Sequence, residues 1–299
     1  MLFRSPQKQL YKNIRQNKGS ILICFIIYHH ILIKHWGELP LKILFAVLLG
    51  IIQGVTEFLP VSSSGHLILF QELFGYEAPL FFDIMLHVGS LCAVCTVFWQ
   101  DIKEVFCHPL GRTARLLIVA TLPTVAVVLL IKLIAGDAPF YGRYLYLGFL
   151  CTAAALFIFE KLPRGQKSFE DLRARDAVVM GLFQGAGTLP GVSRSGITLF
   201  GAGAVYLDRE SGARFAFLMS VPAILGALVL DIPQVIEAGS IGVGWLEMLA
   251  GFIASAAAGY FSIKWLLRVI TGKSLRGFAL YTLLLGLVLL LARIIWGWG

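Results

Sequence analysis

The residues best suited to chemistry lie close together at positions 53–66, inside an apolar part of the chain. They include a carboxylate at Glu57, an imidazole at His66 and three consecutive hydroxyls at Ser62–Ser64. Polar groups at membrane depth are costly, and backbone that leaves a helix there must be enclosed by protein or line a cavity. A carboxylate can hold a divalent cation, and an imidazole can act as a nucleophile or exchange protons. This stretch is therefore the first candidate for a reactive site.

The local sequence predicts a broken helix around these residues. A helix arriving from Leu41 should end near Leu59, because Pro60 lacks an amide hydrogen and disfavours a helical residue before it. The residues Ser62–Ser64 are good N-cap residues, so a second helix should begin there and run towards Phe74. The N-terminal end of a helix carries partial positive charge and free N–H groups. The break is therefore predicted to bind an anion.

The pattern occurs a second time, at an offset of 131 residues, or 130 for the Leu-Pro pair. The matching groups are Gln184-Gly185, Leu189-Pro190 and Val192-Ser193-Arg194-Ser195-Gly196. Arg194 carries a planar guanidinium suited to two phosphate oxygens, and Ser193, Ser195 and Thr198 add hydroxyl donors. Interrupted apolar segments in corresponding positions of two halves point to a site at the repeat interface. Together they supply the components expected for phosphoryl transfer to water.

Each of these residues also has a purely structural interpretation. Ser62 can serve only as a helix cap, His66 can be a buried histidine with satisfied hydrogen bonds, and small residues can simply let helices pack closely. Glu57 and Arg194 can merely pair with each other. Packing explains Arg194 least well, because an unpaired charge at membrane depth is expensive. The residues alone leave the nucleophile open between Ser63 and His66.

The composition indicates a membrane protein. With 58% hydrophobic and 14% charged residues, the chain is too apolar for a soluble domain. No nucleic-acid-binding motif is present, and basic loops account for the net charge of +8. The five cysteines are odd in number and mostly lie in apolar segments, which does not indicate a disulfide framework.

Two parts of the chain are distinguished by sequence. Residues 1–40 are a basic and then apolar N-terminal extension, which is either a signal anchor or an upstream stretch translated from a wrongly assigned start. Residues 41–299 are predicted to form one integral membrane domain, with repeats at about 41–159 and 177–296.

Loop charge predicts the topology. The loops 100–115, 160–176, 208–214 and 264–277 contain 14 Lys and Arg, whereas the opposite loops 135–143 and 231–242 contain only Arg143. This distribution requires each broken segment to enter and leave the membrane on one face, with the basic loops cytoplasmic. The predicted fold is therefore an all-α polytopic membrane protein with an inverted repeat. Each half is a re-entrant helical hairpin followed by three transmembrane helices.

The two segments resemble the signatures of the bacterial undecaprenyl-diphosphate phosphatases, also called bacitracin-resistance proteins. The first signature, Glu or Gln followed four residues later by Glu, is matched by Gln53 and Glu57 and continues as Phe-Leu-Pro-Val-Ser-Ser-Ser-Gly-His66. The second, Pro-Gly-x-Ser-Arg-Ser-x-x-Thr, is matched from Pro190 to Thr198. The resemblance covers the chain from about Leu41 to the C-terminus and leaves out the first forty residues.

This resemblance implies six spanning helices, two re-entrant hairpins and a place in the bacterial cytoplasmic (inner) membrane. It also implies hydrolysis of undecaprenyl diphosphate to undecaprenyl phosphate and inorganic phosphate, which recycles a cell-wall carrier lipid and confers tolerance of bacitracin. The family is expected to need Mg²⁺ or Ca²⁺. Position 53 is Gln where many members have Glu, which removes one anionic metal ligand.

The candidate site residues follow from the motifs and the resemblance together. The candidate catalytic residues are His66, Ser63, Glu57 and Arg194. The candidate substrate-binding residues are Ser62, Ser193, Ser195 and Thr198, and the candidate metal ligands are Glu57 and Gln53.

A second function remains open at this stage. Inverted repeats with broken helices also build secondary transporters, so the chain could instead be a flippase for a phosphorylated polyprenyl lipid. A carrier has a use for Arg194 and the helix ends but no evident use for His66 beside Ser63. The sequence also leaves open whether the protein forms a homodimer and from which side substrate enters.

Overall fold

A computed structural model describes residues 39–296, apart from residues 75, 77, 137–138, 140–141 and 239–241. The prediction of an N-terminal extension falls almost wholly on residues before 39 and lies outside the described residues. Regular structure in the described part of the chain is helical. Its helices are α1 Leu39–Phe58, α2 Ser63–Phe74, α3 Leu80–Val97, α4 Trp99–Cys107, α5 Arg112–Ala135, α6 Leu145–Phe159, α7 Ala174–Ala186, α8 Arg194–Ala204, α9 Arg209–Ala238, α10 Trp245–Gly272 and α11 Arg276–Trp296, with a short 3₁₀ turn at Phe169–Asp171.

Six of the described helices are long and apolar enough to cross a membrane, namely α1, α3, α5, α9, α10 and α11. The prediction of an all-α polytopic membrane protein is therefore confirmed. One of the six, α1, belongs to the first predicted re-entrant hairpin, whereas α6 does not reach the length of a span. With 15 residues, α6 is apolar but short. A helix of that length spans roughly 22 Å, against about 30 Å for the hydrocarbon core.

The helix α9 is longer than the sequence indicated. A loop was predicted at 231–242, but Asp231 and Glu237 both lie in the last turns of α9. The helix continues through Pro222 and Pro233, each of which removes only one backbone hydrogen bond. Apolar residues such as Ile232 and Ile236 continue the helical pattern past the predicted end. Proline is tolerated in membrane helices, where neighbours satisfy the freed carbonyl groups.

The helices of the two predicted halves pack mainly against each other. The helix α1 lies along α10, α5 lies along α7, and α6 lies along α11. Small residues allow the closest of these approaches, since a Cβ atom on Gly54 would lie 2.7 Å from the backbone nitrogen of Gly259. The core is thus built at the junction of the halves rather than within either one.

The loops rich in Lys and Arg contact one another. Arg112 donates to the carbonyl of Leu172 at 2.6 Å, the amide of Lys167 donates to Tyr206 O at 3.0 Å, and Glu160 pairs with Arg209 at 3.0 Å and accepts from Ser274 at 2.7 Å. These contacts link the loops that precede α5, α7, α9 and α11. The basic loops therefore form one continuous surface.

Candidate active site

The first helix break lies where the sequence predicted it. The helix α1 ends at Phe58 and α2 begins at Ser63 after one turn. Ser62 acts as the cap, because its Oγ accepts a hydrogen bond from the amide of Gly65 at 3.3 Å. Its backbone φ is 71°, in the left-handed region that residues other than glycine seldom adopt. The turn before Ser63 is therefore conformationally demanding.

The second break has the same type of cap. The helix α7 ends at Ala186 and α8 begins at Arg194. The Oγ of Ser193 accepts a hydrogen bond from the amide of Gly196 at 3.1 Å. In both breaks a serine two or three residues after the proline satisfies a free N–H group at the start of the next helix.

Thr152 of α6 holds the second break in place. Its Oγ1 accepts from the amide of Ser193 at 2.8 Å, and its one hydrogen lies within reach of two carbonyl oxygens, Gly148 at 3.0 Å and Gly191 at 3.1 Å. Gly191 has a φ of 83°, and its backbone lies against Gly148 so closely that a side chain at either position would collide. The sequence analysis missed Thr152, since an isolated threonine in an apolar helix carries no motif.

The two breaks contact each other directly. Ser195 Oγ donates to the carbonyl oxygen of Leu59 at 3.0 Å. Because the single hydroxyl hydrogen of Ser195 is used there, the 3.1 Å contact between Ser193 Oγ and Ser195 Oγ must be donated by Ser193. Beside them, a Cβ on Gly196 would lie 3.2 Å from the Cβ of Pro60. The predicted meeting of the two motifs is thus observed.

Glu57 is the centre of the polar cluster at this junction. Its Oε2 accepts from Ser63 Oγ at 2.5 Å and from Gln53 Nε2 at 3.0 Å, and its Oε1 forms an ion pair with Arg194 Nη2. Glu57 and Gln53 are buried, whereas the side chain of Arg194 is 19% exposed. Glu57 and Arg194 therefore do pair with each other, as the purely structural interpretation expected. The cluster places a carboxylate, a hydroxyl and a guanidinium in direct contact.

Gln53 has an acceptor atom without a partner. The residue is fully buried, and its Oε1 has no hydrogen-bond partner among the described residues. A buried carbonyl oxygen left unbonded costs about 1–3 kcal/mol, so the position favours a ligand. Gln53, Glu57 and Ser63 offer oxygen atoms, which hard divalent cations prefer. The described part of the chain has no group of three or more His, Cys, Asp or Glu side chains arranged for a metal. These oxygen atoms therefore suit a cation whose remaining ligands are phosphate oxygens and water.

His66 is directed away from that cluster. Its Nδ1 lies 2.7 Å from the carbonyl oxygen of Ser62, which can only accept, so Nδ1 carries the hydrogen. Its Nε2 lies 2.7 Å from the hydroxyl of Tyr281 in α11, and the two rings stack at 5.7 Å and 16°. The edge of Phe149 completes the surroundings at 5.6 Å. Among the described residues, His66 makes no hydrogen bond to Glu57 or Ser63.

An apolar groove of about 670 Å³ opens beside His66 and Tyr281. Side chains of α1, α10 and α11 form most of its walls, among them Ile52, Val55, Leu59, Val269 and Phe278. Lys273 and Ser274 line it as well, where the chain passes from α10 to α11. The groove thus extends from His66 at the first helix break to the turn between α10 and α11.

The structure separates the predicted site residues into groups. Gln53, Glu57, Ser63 and Arg194 form one bonded cluster, with Ser193 and Ser195 at the contact between the breaks. Ser62 is a cap, and the hydroxyl of Thr198 donates to Arg194 O within its own helix at 2.7 Å. Sequence reasoning missed Tyr281 and Thr152. The catalytic, substrate-binding and metal-binding roles assigned to these residues remain predictions.

Fold and site together define a polytopic helical membrane protein with a polar cluster where two helix breaks meet. The family model described as bacitracin resistance protein BacA matches residues 46–288. The chain belongs to this family.

Several relatives match most of the chain. The undecaprenyl-diphosphatase of Carboxydothermus hydrogenoformans is 39% identical over 251 residues, covering 83% of this chain and 96% of the relative. The undecaprenyl-diphosphatase of Methanosphaera stadtmanae is 38% identical over 279 residues, covering 85% and 99%. Undecaprenyl-diphosphatase 4 of Bacillus thuringiensis strain Al Hakam is 38% identical over 246 residues, covering 82% and 95%.

Proposed function

We propose that this protein hydrolyses undecaprenyl diphosphate to undecaprenyl phosphate and inorganic phosphate. The observation that carries the proposal is the bonded set of Glu57, at the end of α1, with Ser63 and Arg194, which begin α2 and α8. It combines a hydroxyl, a base for its proton and a fork for phosphate oxygens, and the relatives are named for this activity. Recycling of the carrier lipid and tolerance of bacitracin follow from that reaction.

Ser63 is the better nucleophile of the two that the sequence left open. Its Oγ already donates its hydrogen to Glu57 at 2.5 Å, so the carboxylate can take the proton as the oxygen attacks. Both nitrogens of His66 are engaged elsewhere, by Ser62 O and by the Tyr281 hydroxyl. An attack by His66 would first require that one of these bonds be broken.

The reaction then has two steps. Ser63 Oγ bonds to the terminal phosphorus, its proton passes to Glu57, and the bond from phosphorus to the bridging oxygen breaks, so that undecaprenyl phosphate leaves with that electron pair. Water next attacks the phosphorus of the phosphoserine, and the bond from that phosphorus to Ser63 Oγ breaks. Glu57 returns its proton to Ser63 Oγ, takes one from the attacking water and releases it to solvent as inorganic phosphate leaves. Arg194 leaves its pairing with Glu57 in part to hold two phosphate oxygens and stabilise charge as each bond breaks.

A Mg²⁺ or Ca²⁺ ion would be held by the oxygen atoms of Glu57 and Gln53. When bound, such an ion neutralises charge on phosphate oxygens and fixes their position. With Gln at position 53 the protein supplies one anionic ligand here, so affinity for the ion should depend strongly on the diphosphate itself.

The groove supports a lipid substrate. Its volume of about 670 Å³ is of the size that encloses one small ligand. Its apolar walls suit the first isoprene units of the chain, while the remainder of an undecaprenyl group would lie in the bilayer. His66 and Tyr281 border the groove, so a lipid chain held there would lie along the first helix break, which also carries Ser63.

The proposal includes the inverted repeat, with two re-entrant hairpins and the basic loops on the cytoplasmic side of the inner membrane. Exchange of the halves carries the α1–α10 contact onto α7–α5 and the α3–α10 contact onto α9–α5, which supports a repeat. The equivalent residues Gln53 and Gln184 are both fully buried, each with an unbonded Oε1 among the described residues. Contact among the basic loops supports a common face for them. A homodimer stays a prediction, which the mass of the protein in detergent would test.

Release of inorganic phosphate from undecaprenyl diphosphate by purified protein in detergent tests the activity. Transport cannot occur without a membrane, so release there separates a phosphatase from a flippase. We expect release by wild type, a loss of roughly 10³-fold or more in Ser63→Ala, and a phosphoserine at position 63 in rapidly quenched samples. Absence of release by well-folded wild type would overturn the proposed function, and a fully active Ser63→Ala would overturn the choice of nucleophile.

A further inference from the structure

Tyr281 joins the second half of the chain to the first break. Its hydroxyl lies 2.7 Å from Nε2 of His66, 215 positions away in the sequence. The two rings are nearly parallel, at 16° and 5.7 Å between centroids. Hydrogen bonding and stacking together fix both the position and the plane of the imidazole.

The direction of these hydrogen bonds follows from the acceptor at the other end. Ser62 O can only accept, so the hydrogen of neutral His66 is on Nδ1 and the lone pair is on Nε2. The Tyr281 hydroxyl therefore donates to Nε2. A donor at one ring nitrogen favours the tautomer that carries hydrogen on the other nitrogen. Tyr281 thus strengthens the bond from His66 to Ser62.

The residue at the end of this chain of bonds is strained. Ser62 has a φ of 71°, which costs free energy for any residue with a Cβ atom. The next residue is Ser63, whose Oγ must lie within hydrogen-bond distance of Glu57. If Ser62 relaxed to an ordinary conformation, the direction in which Ser63 leaves the turn would change.

Packing alone does not account for the Tyr281 hydroxyl. The ring is 46% exposed and borders an apolar groove, where a phenylalanine would stack equally well. A tyrosine in an apolar setting normally gives its hydroxyl a partner, and here that partner is His66.

We propose that Tyr281 and His66 are positioning residues that hold the strained turn at Ser62 and so aim Ser63 at Glu57. His66 acts through its Nδ1–H and transfers no proton to the substrate. The inference rests on the proposed function, because it assigns Ser63 as the nucleophile. It differs from the sequence-based expectation that His66 itself is catalytic.

Replacement of His66 by Asn distinguishes the two roles. The amide nitrogen of Asn can replace Nδ1–H as a donor to Ser62 O but cannot exchange protons as imidazole does. We expect His66→Asn to keep phosphate release within about tenfold of wild type, and His66→Leu to lose roughly 10²-fold or more. An Asn variant as inactive as the Leu variant, when both are folded, would overturn the proposal.

Replacement of Tyr281 by Phe tests the relay itself. Loss of one neutral hydrogen bond should lower kcat about 2- to 10-fold with KM nearly unchanged. The same change in the His66→Asn background should have no further effect, because Asn is too short to reach Tyr281. The control Tyr146→Phe, on α6, should match wild type. Equal losses from Tyr281→Phe in both backgrounds would contradict the relay.

The tautomer of His66 gives a readout that does not depend on activity. Spectra of ¹⁵N-histidine-labelled protein should show hydrogen on Nδ1 of His66, assigned with His66→Asn, and a mixture of tautomers in Tyr281→Phe. An unchanged tautomer would overturn the proposal even if the protein proved not to be a phosphatase.

Ser62→Gly should also restore part of the activity that Tyr281→Phe loses, because glycine adopts the left-handed conformation without a penalty. No restoration would contradict the role of the strained turn.

Discussion

Ser195 Oγ in the second helix break donates a hydrogen bond to the carbonyl oxygen of Leu59 in the first, at 3.0 Å. This bond fastens the two polar motifs together at a buried position. Ser195→Ala removes this bond, while the amide of Val61 still donates to the same carbonyl at 2.7 Å. The free energy of unfolding should therefore fall by about 0.5–1.5 kcal/mol, the net value of one hydrogen bond. The measurement is thermal unfolding in detergent, followed by the activity of the folded fraction.

Thr198→Val is the matched control for that variant. The hydroxyl of Thr198 donates to Arg194 O within α8, so its loss breaks no contact between the halves. If Thr198→Val lowers the free energy of unfolding as much as Ser195→Ala does, the bond from Ser195 to Leu59 contributes no more to stability than a bond within one helix.

Activity should require a divalent cation, and Glu57→Gln should remove most of the activity. The amide keeps the shape of the side chain but loses the charge that a hard cation prefers. Gln53→Glu should be tolerated and should lower the cation concentration that gives half-maximal activity. The assay is phosphate release over a Mg²⁺ titration after treatment with chelator. Wild type that keeps its full rate in chelator would contradict the metal sites assigned to Glu57 and Gln53.

Arg194→Lys should be nearly as damaging as Arg194→Ala, although lysine keeps the charge. A guanidinium bonds two oxygens in a fixed plane, whereas an ammonium acts as a point charge. We expect a loss of roughly 10²–10³-fold, mainly in kcat, as for removal of one preorganised donor. Steady-state comparison of the three proteins is the measurement. A Lys variant within about threefold of wild type, on the order of RT, would refute the bidentate role.

The linker that holds Gln166 should be cytoplasmic, and the end of α9 at Glu237 should be external. Single cysteines at these two positions, in a chain without its five native cysteines, can be labelled in intact cells with an impermeant thiol reagent. We expect labelling at Glu237→Cys and protection at Gln166→Cys, because basic loops stay inside. The reverse pattern would overturn the proposed orientation and, with it, the inverted repeat.

The contacts of Glu160 predict acid sensitivity of the basic loops. Burial opposes its charge, but hydrogen bonds from Ser274, the Leu275 amide and Arg209 outweigh that effect and lower the pKa of the carboxyl. A carboxyl whose pKa is lowered in the folded state stabilises the fold at pH values above its ordinary pKa of about 4.3. That stabilisation is lost as the pH falls through the pKa of the folded state.

The melting midpoint of wild type should therefore fall more steeply below pH of about 5 than that of Glu160→Gln, which should already be less stable at neutral pH. The exposed control Glu170→Gln should follow wild type. Parallel curves for Glu160→Gln and wild type would contradict the prediction.

The first helix break could be predicted because neighbouring residues in the sequence determine it. Its surroundings could not be predicted, because they depend on contacts between residues far apart in the sequence. Pro60 and the serines that follow it specify where α1 stops and α2 starts, and the repeat of that pattern indicated that the breaks meet. Tyr281 could not be found in this way, because its role depends on a contact with His66 that only the packing of α11 creates. The extent of α9 past Asp231 was missed because the charge resembled a loop signal, while apolar neighbours continue the helix.

The packing of α1 along α10 also has a consequence for biosynthesis. The helix that carries Glu57 enters the bilayer early, whereas its packing partner and Arg194 are both translated later. During that interval the glycine-rich face of α1 and its carboxylate have no intramolecular partners in α10 and α8. Until α8 is made, the carboxylate of Glu57 has only Gln53 and Ser63 as hydrogen-bond partners, and its charge is paired only when Arg194 arrives.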